Sequence, residues 1–280
     1  MIKKDTIFGV VGLGVLGGSY CQALSKQGFY CIGIDIDPYS IFYAKENGWI
    51  KEGSTDPSLV KKADIVVAAL YPHVFEEWLI ENGKFLKSGC LLTDVTGVKR
   101  KVNTMIRNVL PEEIEFVSCH PMAGREMRGI QYADSSRFQN ANFIIVPDAS
   151  NTESALSTVE TMAALLGFKK ISFLSAQEHD RMIGFLSQLT HVIAVTLMNS
   201  SDNTHLVDYT GDSFRNLTRI AKINEDMWAE LFLLNKDNLL DEIDLFAKEL
   251  QSFRNLLENE DVQGMKEKMI LSTTRRKKFD

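Results

Sequence analysis

From residue 7 to about residue 174, short runs of apolar residues rich in Val and Ile alternate with segments of helix length. The runs lie at 7–11, 31–35, 65–70, 91–95, 116–119, 143–147 and 171–174. They are mostly continuous rather than alternating, as expected of strands covered on both faces. The spacers between them predict β-α-β connections and hence a mostly parallel sheet. At Ser175 the pattern changes. Ser175 and Glu178 have the spacing of a capping box, in which hydroxyl and carboxylate each satisfy an orphan backbone N–H, so a helix is predicted to begin there. No strand pattern follows. A second long helix is predicted to open after Asn224, with Glu225 and Asp226 placed favourably against its dipole. Within it Leu239, Ile243, Phe246, Leu250, Phe253 and Leu257, spaced 4, 3, 4, 3, 4, line one face. Such a helix of roughly 30 residues would be about 45 Å long and would outrun a small domain, so the seam points to a second copy of the chain.

Composition fits this division. A chain of 280 residues with 45% hydrophobic and 24% charged residues is globular, and at about 150 residues per domain it holds roughly two. The 31 basic and 37 acidic residues leave a net charge of −6, which argues against nucleic acid or an anionic membrane as partner. An acidic substrate would need a local basic pocket. No run of about 18 apolar residues is present, and the N-terminus leads into a strand rather than a leader, so a cytoplasmic protein is expected. Cys21, Cys31, Cys90 and Cys119 show no CxxC spacing. They read as buried small hydrophobes in a reducing compartment rather than as metal or redox ligands.

The first run passes directly into Gly12-Leu13-Gly14-Val15-Leu16-Gly17. Three glycines at this spacing, between a strand and a helix, permit a tight turn, close approach of a pyrophosphate to bare backbone and tight helix–strand packing. The next strand ends at Asp35, 18 positions after Gly17. A carboxylate there accepts both ribose hydroxyls and repels a 2′-phosphate, so NAD is expected rather than NADP. Asp37, just before Pro38, reads as the cap of the following helix. The fold class expected is therefore α/β. Residues 1–174 are expected to form a Rossmann-type NAD-binding domain, and residues 175–280 an all-helical dimerisation domain.

Ligands in such sheets lie beyond the carboxyl ends of the strands. There the run at 116–119 leads into His120-Pro121-Met122-Ala123-Gly124-Arg125-Glu126, placing an imidazole where a nicotinamide ring would lie. Further on come Gln177-Glu178-His179-Asp180, then Ser187-Gln188-Leu189-Thr190-His191, then Phe214-Arg215-Asn216-Leu217-Thr218-Arg219-Ile220-Ala221 followed by Met227-Trp228. Together with the glycine-rich opening, and in this order, these motifs resemble those of the prephenate dehydrogenases of tyrosine biosynthesis.

That resemblance implies a homodimeric enzyme that oxidises the ring hydroxyl of prephenate by hydride transfer to NAD, with loss of carbon dioxide. It implies that His120 is the catalytic histidine, that Arg219 pairs a substrate carboxylate, and that His191 is a second active-site histidine. It places Glu126 near the cleft. At 12 residues and 100° per residue, His179 and His191 differ by about 120°, so His179 is expected to be structural or at an interdomain contact. Two positions depart from the family pattern. Where the family commonly has a serine before Val-Lys, this chain has Gly97 in Thr96-Gly97-Val98-Lys99, leaving Thr96 or a water to stand in. Arg125 replaces a small residue at the pocket rim. Arogenate as substrate and a catalytically silent NAD-binding protein are the alternatives. A 3-hydroxyacid dehydrogenase would want a lysine on the first helix of the helical domain, which offers Arg181 instead.

Overall fold

A computed structural model of the chain describes residues 2–124, 127–202 and 205–279. The first half is one eight-stranded sheet in the order β3-β2-β1-β4-β5-β6-β7-β8. The strands are β1 (Ile7–Val11), β2 (Tyr30–Ile34), β3 (Glu52–Ser54), β4 (Ile65–Ala68), β5 (Leu91–Asp94), β6 (Glu115–Pro121), β7 (Asn142–Val146) and β8 (Lys170–Phe173). All neighbours pair in parallel except β6 and β7. Seven of the eight were legible as apolar runs. Glu-Gly-Ser at β3 was not, because a three-residue edge strand carries no hydrophobic signal.

Helices cover both faces. On one side α1 (Val15–Lys26), α2 (Pro38–Glu46) and α5 (Glu153–Leu166) bury Tyr20, Leu24, Ala44 and Val159 against Phe8, Val10 and Phe143. On the other, α3 (Pro72–Asn82) and α4 (Arg100–Val109) bury Phe75, Leu79, Val102 and Ile106 against Val66, Leu92 and Phe116. Water is excluded from both faces, which is why the strands read as continuous apolar runs. All four cysteines are buried free thiols, as expected.

The capping box at Ser175 is present, with the Ser175 hydroxyl accepting from the Glu178 N–H and the Glu178 carboxylate accepting from the Ser175 N–H. It opens α6 (Ala176–Ile183), which runs through a π-helical segment (Gly184–Leu189) into α7 (Thr190–Asn199). This continuous helix of 24 residues has the length and composition to cross a membrane, the one such helix among the described residues. Its buried His179, Asp180 and Gln188 instead fasten it to the rest of the protein. Short α8 (Leu206–Tyr209) and α9 (Asp212–Thr218) precede α10 (Glu225–Leu234), α11 (Lys236–Glu258) and α12 (Val262–Arg276). No strand occurs after β8 among the described residues.

The single helix expected from Asn224 onward is interrupted. Asn224 does cap its start, accepting from the Met227 N–H at 3.3 Å, but the chain breaks at Asn235 between α10 and α11. Asn235 is buried, and its side-chain amide donates to the Asp180 carbonyl at 2.8 Å and to Gln188 Oε1 at 2.7 Å. Those bonds hold the break between α10 and α11 against the α6–α7 helix. α11 is therefore 23 residues long, about 35 Å at 1.5 Å per residue.

Candidate active site

The glycine-rich turn links β1 to α1. Gly12 has φ +89°, and a Cβ there would meet the Ala69 carbonyl oxygen at 2.5 Å; at Gly17 it would lie 1.8 Å from the Gly12 oxygen. Neither position accepts a side chain. Gly14 is different. It is the N-cap of α1, a Cβ on it would have nothing within 4 Å, and the first turn carries no acidic side chain. The N-terminus of α1 thus has open space beside Gly14, where the helix dipole favours an anion. Asp35, the first residue past β2, accepts from the Leu13 N–H at 2.5 Å and from the Asp37 N–H at 2.8 Å. Each oxygen keeps a lone pair for a ribose hydroxyl. Asp37 caps α2 through the Tyr39 and Ser40 N–H groups, as its place before Pro38 implied.

His120 lies within β6, one residue before its end, paired with Ile144 of antiparallel β7. Its Nδ1 is 2.9 Å from His179 Nε2, and the two rings meet edge to face at 61°. His179 Nδ1 is 2.8 Å from Asp180 Oδ1. Asp180 in turn accepts the backbone N–H groups of Lys99 at 2.7 Å and Arg100 at 2.9 Å, at the start of α4. Burial, with His179 and Lys99 beside it, holds the His120 imidazole well below its ordinary range. Burial also lowers His179, against the opposing pull of Asp180. Both rings are therefore neutral at physiological pH, and His120 retains some exposed surface while His179 has none.

A second polar knot lies beside this one. The Lys99 ammonium, fully buried, sits 2.7 Å from Asp94 Oδ2, 3.1 Å from Thr96 Oγ1 and 2.5 Å from the Cys119 carbonyl oxygen. Asp94 also accepts from the Cys119 N–H at 2.8 Å, the Ser118 hydroxyl at 3.2 Å, and the Thr96 N–H and hydroxyl. The knot ties the ends of β5 and β6 together under His120. It also corrects one expectation. Thr96 is buried with its hydroxyl committed to Asp94, so it does not stand in for a serine facing the substrate. At Gly97 a Cβ would sit 3.9 Å from His120 Cε1 and 3.6 Å from Leu231 Cδ1, an ordinary van der Waals fit.

The helical half contributes from two directions. The His191 ring lies on the Trp228 indole with centroids 3.7 Å apart, and its Nδ1 is 2.8 Å from the Ser187 carbonyl oxygen. His179 and His191 meet different neighbours, with a π-helical segment between them. It is His179, expected to be structural or at an interdomain contact, that touches His120. Arg219 is exposed, in the turn Arg219–Ala221 that packs on α7. A cavity of about 540 Å³ nearby is lined mainly by apolar side chains, among them Val195, Met198, Leu206 and Phe214, with Arg215 and Lys222 at its wall. Arg125 and Glu126 lie outside the described residues. α10 is clipped to the first domain by Glu230, which accepts from the His73 N–H at 2.7 Å, and by the Lys101 ammonium on the Leu233 carbonyl. Sequence reading had not singled out Asp94, Lys99 or Asp180. The signals were there: Val98-Lys99 closes one motif, and Asp180 sits beside His179 in another.

Comparison with known proteins agrees with this geometry. Residues 20–171 match the family described as prephenate dehydrogenase, nucleotide-binding domain, and residues 175–271 match prephenate dehydrogenase, dimerization domain. A prephenate dehydrogenase of Bacillus subtilis is 33% identical over 276 residues, covering 94% of this chain and 72% of that protein. A cyclohexadienyl dehydrogenase of Zymomonas mobilis is 27% identical, covering 90% of this chain and 88% of its own. The crystal structure of prephenate dehydrogenase from A. aeolicus with hydroxyphenyl propionate and NAD+ superposes over the whole of both chains, with TM-score 0.91 and 28% identity.

Proposed function

This chain belongs to the prephenate dehydrogenase family, and we propose that it converts prephenate to 4-hydroxyphenylpyruvate by oxidation of the ring hydroxyl and loss of carbon dioxide. Bound NAD supplies the hydride acceptor. The backbone of residues 12–17 and the N-terminus of α1 would hold its pyrophosphate, and Asp35 would accept the ribose hydroxyls and disfavour a 2′-phosphate. His120 takes the proton of the ring hydroxyl. Arg219, with His191 on the helix it packs against, holds substrate carboxylate. Buried Lys99 and Asp94 hold the floor in place, and α10 shields it from water.

One observation carries this reading. A neutral imidazole at the carboxyl edge of the sheet, partly exposed and hydrogen-bonded on its far nitrogen, is what abstraction of a hydroxyl proton requires. The active unit is a homodimer joined through α11 and α12. Initial rates with prephenate and arogenate, each against NAD and NADP, test the assignment, with prephenate and NAD expected to be the fastest pair. A preference for NADP removes the role of Asp35. Faster turnover of arogenate moves the substrate to the amino acid analogue with the same ring chemistry.

A further inference from the structure

We propose that His179 and Asp180 are positioning residues that fix the tautomer of His120, leaving its Nε2 unprotonated and aimed at the proton to be removed. The inference rests on the role of His120 given above, and follows from the donors and acceptors around the two buried, neutral rings. Backbone N–H groups can only donate, so the two from Lys99 and Arg100 make both oxygens of Asp180 acceptors. A carboxylate seated on a helix N-terminus is stabilised in that form. His179 Nδ1, at 2.8 Å from Asp180 Oδ1, must then carry its hydrogen. A neutral imidazole has one N–H, so His179 Nε2 is an acceptor, and the group it faces at 2.9 Å, His120 Nδ1, must be the donor. His120 is left with a lone pair on Nε2.

Gly97 makes this chain depend on that relay. The position whose Cβ would lie 3.9 Å from His120 Cε1 carries no side chain, and the adjacent Thr96 hydroxyl is bound to Asp94. Orientation of the ring therefore comes from across the domain boundary. It comes from a residue in the first two turns of α6, whose place is set by the capping box at Ser175 and by the hold of Asn235 on the Asp180 carbonyl.

The test reads ring protonation and turnover separately. In the full-length protein labelled with 15N-histidine, resonances assigned by single substitutions of the five histidines should show His120 protonated on Nδ1 and bare on Nε2 at pH 8. A wild-type His120 protonated on Nε2 overturns the proposal, whatever the substrate turns out to be. In kinetics, His179→Leu should lower kcat about ten-fold or more with KM for NAD and substrate nearly unchanged, while His179→Gln, whose amide oxygen can still accept from Nδ1, should recover much of the loss. In a His120→Asn background His179→Leu should cost nothing further. A full additional loss there, or unchanged kcat in His179→Leu, overturns the proposal. Absence of turnover by the wild type on both prephenate and arogenate would instead count against the proposed function and leave the ring assignment to the spectra.

Discussion

The boundary between the two domains and the C-terminal hairpin of α11 and α12 are built on opposite principles. The boundary is polar and buried. His179, Asp180, Gln188, Asn235, Asp94 and Lys99 are all at or below 4% exposed, and each is bonded to a named partner. The hairpin is charged over much of its surface but leaves apolar side chains bare: Leu250 and Leu257 are each 61% exposed and Ile270 is 64% exposed. Its ion pairs, such as Arg254–Glu258 and Lys268–Glu249, lie at the surface, where each contributes little. Buried polar groups demand fixed geometry, because every unmet bond is costly in low dielectric. Exposed apolar groups demand only cover. The first region meets its own demands within one chain, whereas the second leaves apolar side chains in water.

Perturbations that act on one region alone separate the two. The largest effect is expected from His120→Asn, which should lower turnover by about 10²- to 10⁴-fold while sedimentation and circular dichroism stay as in the wild type. Removing one partner of the buried pair, as in Lys99→Ala, should cost about 3–5 kcal/mol in urea titration and leave the association state of the folded fraction intact. The converse change, Leu250→Asp with Leu257→Asp, should yield monomers in sedimentation equilibrium with the first domain still folded. A pH series gives a subtler contrast. His120 and His179 have folded-state pKa values lowered by burial, so below the unfolded value of about 6.5 the unfolded chain binds more protons. Stability should be complete above about pH 6.5 and fall as the pH drops further, flattening in a His120→Asn/His179→Gln variant; α11 and α12 contain no histidine and should not respond. The smallest change is expected from Gly97→Ser, whose Cβ has room beside Leu231 and His120 and should alter stability by less than about 1 kcal/mol.

The contrast also explains what could be read from the chain. Apolar runs and glycine spacing reveal β1, the turn at Gly12 and Asp35, because those features are local. The seam of α11 was legible for the same reason. The break at Asn235 was not, since apolar spacing continues through it and the kink depends on bonds to residues 47 and 55 positions earlier. Nor could sequence rank His179 above His191 as the neighbour of His120, because that choice is made by the docking of two domains. Thr96 looked available as a hydroxyl near the substrate, and only the fold reveals Asp94 beneath it.

The hold of Asp180 on the start of α4 bears on where the chain can be divided. α4 belongs to the first domain, yet the group that satisfies its leading N–H bonds arrives from residue 180. A chain ending at the domain boundary could assemble the sheet from its own residues, yet the first turn of α4 would lack the carboxylate that receives its leading N–H groups.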